Sequence, residues 1–285
     1  YSDLGIIGKD FTKQTWKGII AIDLLLKCLH ETRPYEIHRG ESDAIYNEYL
    51  GKIYDSIRRR NGSTPDLLAD IRRAFSGVKK SDEKRPLIGI IGEIFVRQNA
   101  FSNENIIRKI EALGGEVWLA PLEEWIYYVN LMGIRKSLIR LRNRAFSGNN
   151  IKDLTNTVIS RYIQKKVEHE FSRPLKGFLK TLEEPSTKEL LRNASPYVHD
   201  SFEGETVLSI GKAIDFVKKG ASGIISAMPF GCMPGTIVGA LLKGIKQDTG
   251  IPCLSVAYDG VEATCSDIQL EAFMYQAVEY GRGKV

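Results

Sequence analysis

The segment Met228–Gly235, with the sequence MPFGCMPG, holds the residue of this chain most suited to chemistry, Cys232. Pro234 predicts the first turn of a helix directly after the thiol. The partial positive charge of a helix N-terminus favours a thiolate, which a nucleophile, a redox centre or a sulfur-ligated metal requires. We therefore take Cys232, Gly231 and Pro234 as candidate cofactor-binding residues and Cys232 as a candidate metal ligand. A small buried hydrophobic residue in a tight turn is the alternative, and these residues leave it open.

The other three cysteines are predicted to lie in different surroundings. Cys265 follows the last predicted strand, so we expect it at the same sheet edge as Cys232, as a candidate second metal ligand. Cys253 opens that strand and is expected at the opposite edge, whereas Cys28 lies on the apolar face of a helix. Four irregularly spaced cysteines do not make a disulfide framework, which predicts free or metal-bound thiols and a cytoplasmic protein.

Three further polar residues are candidates for a binding cleft: Glu93, Asn99 and Asp259. Glu93 lies near the end of a buried apolar strand, where a carboxylate needs a partner such as Arg97, so it belongs either to the cleft or to a structural ion pair. Asn99 lies just before the first crossover helix. Asp259 ends the last strand in a glycine-bearing turn, where it could meet a ligand or simply form the turn.

Four short apolar segments predict the strands that position these residues: 86–96, 116–120, 223–228 and 253–258. Helical patterns separate them, which predicts an α/β fold with a Rossmann-like parallel sheet and helices on both faces. Residues 1–84 are predicted to be an N-terminal helical segment, the end of a domain whose start is missing. Residues 85–285 are predicted to be the Rossmann-like domain, with a helical insertion at about 133–200.

Composition and motifs argue against several classes of partner. The 285 residues are 43% hydrophobic and 26% charged, which is typical of a globular protein. No apolar segment is long enough to span a bilayer, and no signal segment opens the chain, so no membrane partner is expected. The net charge of +5 comes without a recognition module for nucleic acid. The phosphate-binding pattern G-x-x-x-x-G-K-[ST] does not occur, so we expect no bound nucleotide.

The chain contains the segments PLIGIIGEIFVRQNAFSNENIIRKIEALGGEVWLAPLEEW, GETVLSIGKAIDF, MPFGCMPGTIV, IPCLSVAYDG and LEAFMYQA. Together they resemble the cluster-carrying region of the large acyl-CoA dehydratase activase-related proteins. Those proteins are related to the D-component of 2-hydroxyacyl-CoA dehydratases and to double-cubane cluster proteins. The resemblance covers most of the chain, and MPFGCMPG is its most specific segment.

The resemblance implies Rossmann-like domains that hold an iron–sulfur cluster between them. It also implies an ATP-hydrolysing activase, as a domain or a separate protein, that drives electrons into the cluster at low potential, and it allows a homodimer across the cluster. By position, Cys232 matches a cysteine that ligates iron. The family's other ligands lie in an N-terminal domain with a cysteine-bearing motif that this sequence does not contain. Because the chain also opens on Tyr1, we expect a C-terminal piece of a larger protein or a divergent relative.

Two functions therefore compete. The first is an iron–sulfur component, active in electron transfer, of an ATP-driven low-potential reductase or dehydratase acting on CoA thioesters or small molecules. The second is a cofactor-free binding or assembly domain of the same fold. One thiolate cannot hold a cubane, which normally takes four ligands, so the isolated chain is expected to be inactive.

Overall fold

A computed structural model describes residues 9–60, 64–142, 148–260 and 267–283 of the chain. The chain divides into two compact units, which we call the helical unit (1–80 and 121–183) and the sheet unit (81–120 and 184–285). This grouping joins the N-terminal helices to those that follow the second strand, and so differs from the division between 84 and 85 predicted from sequence. Among the described residues, no helix combines the length and apolar character needed to cross a bilayer.

Each strand of the described chain is followed by at least one helix, as is typical of an α/β protein. In chain order the helices and strands are α1 (Lys9–Thr32), α2 (Glu41–Arg59), α3 (Thr64–Gly77), β1 (Leu87–Gly92), α4 (Ile94–Gln98), α5 (Ile106–Ala112), β2 (Glu116–Leu119), α6 (Glu123–Arg142), α7 (Gly148–Ser172), α8 (Thr187–Ala194), α9 (Glu205–Lys218), β3 (Gly223–Pro229), α10 (Met233–Thr249), β4 (Cys253–Tyr258) and α11 (Asp267–Arg282).

The helical unit packs α1, α2, α3, α6 and α7 around one apolar core. Trp16 and Tyr127 meet edge to face in this core, with ring centroids 5.3 Å apart. The carboxylate of Asp23 accepts hydrogen bonds from the backbone N–H groups of Leu122 and Glu123, at 3.1 and 3.2 Å. The first N–H groups of a helix have no intrahelical acceptor. The carboxylate of Asp23 accepts from N–H groups at the start of α6, and so connects α6 to α1.

The sheet unit contains a four-stranded, all-parallel sheet in the order β2-β1-β3-β4. One face is covered by α5 and α11, through residues such as Ile110 and Phe273. On the other face, the ring of Phe216 on α9 lies against Gly89, and Gly235 on α10 lies against Met228. This arrangement confirms the predicted α/β class with a Rossmann-like parallel sheet and helices on both faces.

The first strand is shorter than the predicted segment 86–96, because β1 ends at Gly92 and α4 follows. Gly92 has φ of +127°, and a Cβ atom there would lie 2.0 Å from the carbonyl oxygen of Ala227. The carboxylate of Glu93 then accepts a hydrogen bond from the N–H of Val96 at 2.8 Å, which caps α4. The prediction of a strand through Val96 is therefore wrong, since this cap starts a helix inside the apolar run.

Candidate functional site

Cys232 lies at the carboxyl edge of the parallel sheet, where the sequence predicted it. It is the N-cap residue of α10, in the short connection after β3, and Pro234 occupies the first turn of the helix. Its backbone N–H donates to the carbonyl oxygen of Pro229 at 3.2 Å, while Gly231 provides the left-handed conformation of the turn with φ of +70°. Cys232 makes no side-chain capping bond to α10, so its half-buried thiol is not committed to the helix end.

A cavity of about 180 Å³ opens beside this thiol, between the start of α10 and the neighbouring strands β3 and β4. Two glycines of α10 allow the helix to approach the sheet closely. A Cβ atom on Gly235 would lie 2.8 Å from Cβ of Met228, and one on Gly239 would lie 3.3 Å from Oγ of Ser255. The described lining combines hydroxyl and thiol groups with small apolar surfaces: Cys232, Ser226, Thr236, Ser255, Met228 and Ala257.

Apart from the thiol of Cys232, the polar side chains of the described lining are hydroxyls. Ser226 is 1% exposed, and its Oγ has no hydrogen-bond partner among the residues that the structure describes. Ser255 lies opposite Ser226 in the register of β3 and β4. Thr236 donates from its hydroxyl to the carbonyl oxygen of Cys232 at 3.2 Å. Because the described lining contains no Asp, Glu, Lys, Arg or His, the start of α10 is the main electrostatic feature that the fold brings to the cavity.

The other predicted cleft residues lie outside this lining. Glu93 caps α4, and its predicted role in a cleft or in a structural ion pair stays a prediction. Asn99 accepts a hydrogen bond from the N–H of Ser102 at 2.9 Å and so shapes the loop after α4. Asp259 is exposed, directly after β4. Of the three predicted cofactor-binding residues, Cys232 and Gly231 line the cavity, and Pro234 lies next to them in the chain.

A pair of carboxylates lies near the end of β1. Glu205 begins α9, and its carboxylate accepts a hydrogen bond from the N–H of Ile94. Burial raises the pKa of Glu205, the negative charge of Glu93 raises it further, and Arg97 opposes both effects. The guanidinium of Arg97 donates to the carbonyl oxygen of Gly92 at 2.7 Å. Glu205 was not predicted from sequence, because only the fold brings the start of α9 close to the start of α4.

Of the other cysteines, the two that the structure describes lie away from Cys232. Cys265 lies outside the described residues, so its predicted place stays untested. Cys253 opens β4 at the opposite edge, where its thiol donates to the carbonyl oxygen of Ile251 at 3.6 Å and burial raises its pKa to about 12. Cys28 lies in the core of the helical unit, and its burial raises the pKa of its thiol well above the ordinary value. The described residues contain no group of three or more His, Cys, Asp or Glu that could hold a metal ion.

Three hydroxyl-bearing residues of the cavity were missed by the sequence analysis: Ser226, Thr236 and Ser255. The first had a usable signal, since Ser226 interrupts the otherwise apolar segment GIISAM of a strand predicted to be buried. A buried hydroxyl needs a partner, which makes such an interruption informative. The proximity of Ser255 had no such signal, because it depends on the register of β3 against β4.

Comparison with known proteins identifies no relative. No model of a protein family matches the chain, and neither the curated proteins nor the solved structures include a match.

Proposed function

We propose that this chain contributes a thiolate ligand, Cys232, to an iron–sulfur centre. In this proposal the chain is the electron-transfer component of an ATP-driven, low-potential reductase or dehydratase system that acts on CoA thioesters or small molecules. The chain itself binds no nucleotide, and an ATP-hydrolysing activase domain or protein supplies the electrons.

One observation carries the proposal: Cys232 lies at the carboxyl edge of a parallel sheet, at the start of α10 and beside a cavity. Ligands of open α/β sheets bind beyond the carboxyl ends of the strands. Thiolates are the usual ligands of iron–sulfur clusters. The resemblance of MPFGCMPG and its neighbouring segments to a cluster-carrying family supports the same role for Cys232.

The described residues do not fit a complete cluster. A cubane takes four ligands, whereas the part of the chain that the structure describes places one thiol at this edge. The remaining ligands must therefore come from elsewhere, either from undescribed residues such as Cys265 or from another polypeptide. A homodimer across the cluster is one such arrangement. The proposal places the protein in the cytoplasm, where free thiols stay reduced.

Iron analysis tests this proposal directly. We expect the complete gene product, purified without oxygen, to contain iron and acid-labile sulfide, to absorb visible light, and to give an electron paramagnetic resonance signal after reduction. The substitution Cys232→Ser should lower the iron content or change the signal, because losing one ligand leaves a labile or differently ligated cluster. The matched control is Cys253→Ser, which makes the same chemical change at the opposite end of the neighbouring strand.

The outcomes separate the two candidate functions. Equal iron content and unchanged spectra in the Cys232→Ser protein would remove this residue from the centre. A wild-type protein without iron would instead support the second candidate, a cofactor-free binding or assembly domain. That candidate is favoured by one observation, namely that the described residues contain no group able to hold a metal ion by itself.

A further inference from the structure

The hydroxyl group of Ser226 is an unusual feature of the cavity beside Cys232. Its side chain is 1% exposed, and its Oγ has no hydrogen-bond partner in the described part of the chain. A buried hydroxyl left without a partner costs about 1–3 kcal/mol. Ser226 also lines the cavity, so a molecule inside it can accept the missing hydrogen bond. The residue therefore indicates a ligand that carries a hydrogen-bond acceptor.

The start of α10 favours a negatively charged acceptor. This helix has 17 residues, and the first N–H groups of any helix lack intrahelical acceptors. Pro234 has no N–H and the side chain of Cys232 does not cap the helix, so the N–H of Gly235, in the first turn, has neither an intrahelical acceptor nor a cap from Cys232. Gly235 lines the cavity. A helix N-terminus of this kind binds carboxylates and other oxyanions.

The rest of the cavity sets the size and character of the ligand. Met228, Val256 and Ala257 supply apolar lining, and none of the described lining residues is a cation. A multiply charged anion such as a phosphate is therefore poorly matched to this lining. The volume of about 180 Å³ is similar to that of cavities of roughly 150 Å³ that hold benzene, which has six heavy atoms. A singly charged ligand of about that size suits both the polar and the apolar parts.

We infer that this cavity binds a small carboxylate with a short apolar chain. The carboxylate accepts from the hydroxyl of Ser226 and from the start of α10, while the chain packs against Met228 and Ala257. Binding goes beyond the proposed iron–sulfur role, because none of these contacts needs a metal ion.

Butyrate, with six heavy atoms, is the probe for this inference. We expect calorimetric titration of butyrate into the intact, iron-free chain to show saturable binding at one site. Ser226→Ala should weaken binding about tenfold, since a hydrogen bond to a charged group is lost. The matched control is Ser222→Ala, which changes a serine of similarly low exposure at the amino end of the same β3 segment and should leave binding unchanged. Butyramide, which is neutral, should bind several-fold more weakly than butyrate.

Thermal unfolding of the ligand-free proteins provides an independent readout. Ser226→Ala should raise Tm, because it removes a buried hydroxyl that has no partner. The titration uses iron-free protein, whereas the iron–sulfur proposal is tested by iron content and spectra, so a failure of one and a failure of the other give different results. Equal butyrate binding by wild type and Ser226→Ala, or a lower Tm for Ser226→Ala, would overturn the inference. Equal affinity for butyrate and butyramide would overturn the assignment of a carboxylate.

Discussion

The aromatic ring of Phe216 on α9 occupies the space in which Gly89 on β1 would place a side chain. A Cβ atom built on Gly89 would lie 2.2 Å from Cδ2 of that ring, and Phe216 is fully buried. The glycine thus lets α9 pack directly on the sheet. We expect Gly89→Ala to lower the free energy of unfolding by about 1–3 kcal/mol, because neither the ring nor the strand has room to move.

Urea denaturation followed by tryptophan fluorescence measures this effect. The control is Gly244→Ala on α10, whose new Cβ would meet the ring of Tyr197 at an ordinary 3.9 Å. Replacing a glycine in a helix interior with alanine is stabilising by about 0.5–1 kcal/mol, so the two substitutions should have opposite signs. If Gly89→Ala left the free energy of unfolding unchanged, α9 would not pack this closely on the sheet.

A fully buried cation, Lys212, lies beside the Phe216 ring. Lys212 pairs with Glu184 and, at 3.4 Å, with Asp215, while its ammonium lies 5.1 Å from the centre of the Phe216 ring. We expect Lys212→Met to destabilise the protein by about 3–5 kcal/mol, because it removes a buried cation that two buried carboxylates share, although Asp215 keeps its contact with Lys219. Adding Glu184→Gln should recover part of the loss, whereas Lys243→Met on the exposed side of α10 should change little. Chemical denaturation of the four proteins measures these differences, and no recovery in the double variant would contradict the pairing.

The thiols should differ in their rate of alkylation. In an iron-free protein that carries Cys265→Ala, we expect iodoacetamide at pH 8 to modify Cys232 first, because this thiol lines an open cavity. Cys253 should react slowly, since burial raises its pKa to about 12 and leaves it protonated at this pH. Cys28, fully buried in the core of the helical unit, should react only after unfolding. Mass spectrometry of the modified peptides gives the order, and early modification of Cys253 would contradict the structure.

The carboxylate of Glu205 should make stability depend on pH. Burial, and then the charge of Glu93, raise its pKa above the ordinary value of 4.5. As pH rises from that value through the folded-state pKa, the unfolded chain loses its proton first, so stability falls across this interval. Glu205→Gln keeps an acceptor for the N–H of Ile94 and removes the titration. The variant should therefore lose less stability than wild type over this interval, whereas Glu271→Gln, at an exposed position, should follow wild type. Parallel curves of unfolding free energy against pH for wild type and Glu205→Gln would contradict the prediction.

Local sequence was sufficient to predict the position of Cys232, because an apolar strand, a glycine-bearing turn and Pro234 are adjacent in the chain. It was not sufficient to predict the end of β1. The segment 94–96 is as apolar as the strand itself, and the change to α4 depends on a cap by Glu93 and on a close approach of Gly92 to Ala227 from β3. The hydroxyl groups of the cavity were missed for the same reason, since strand register rather than sequence spacing brings them together.

The central pair of the sheet also has a consequence for the order of folding during synthesis. Ile88 pairs with Gly223, so β1 leaves the ribosome long before its neighbour β3 has been translated. The helical unit is complete once residue 183 has emerged. The chain between Ile88 and Gly223 forms a long loop, and closing such a loop is slow. Until β3 pairs with β1, one edge of β1 is open to aggregation. A nascent chain stalled at residue 222, just before β3 and far enough along for residue 183 to lie outside the ribosome, should therefore resist protease in the helical unit and be cleaved readily between residues 87 and 119.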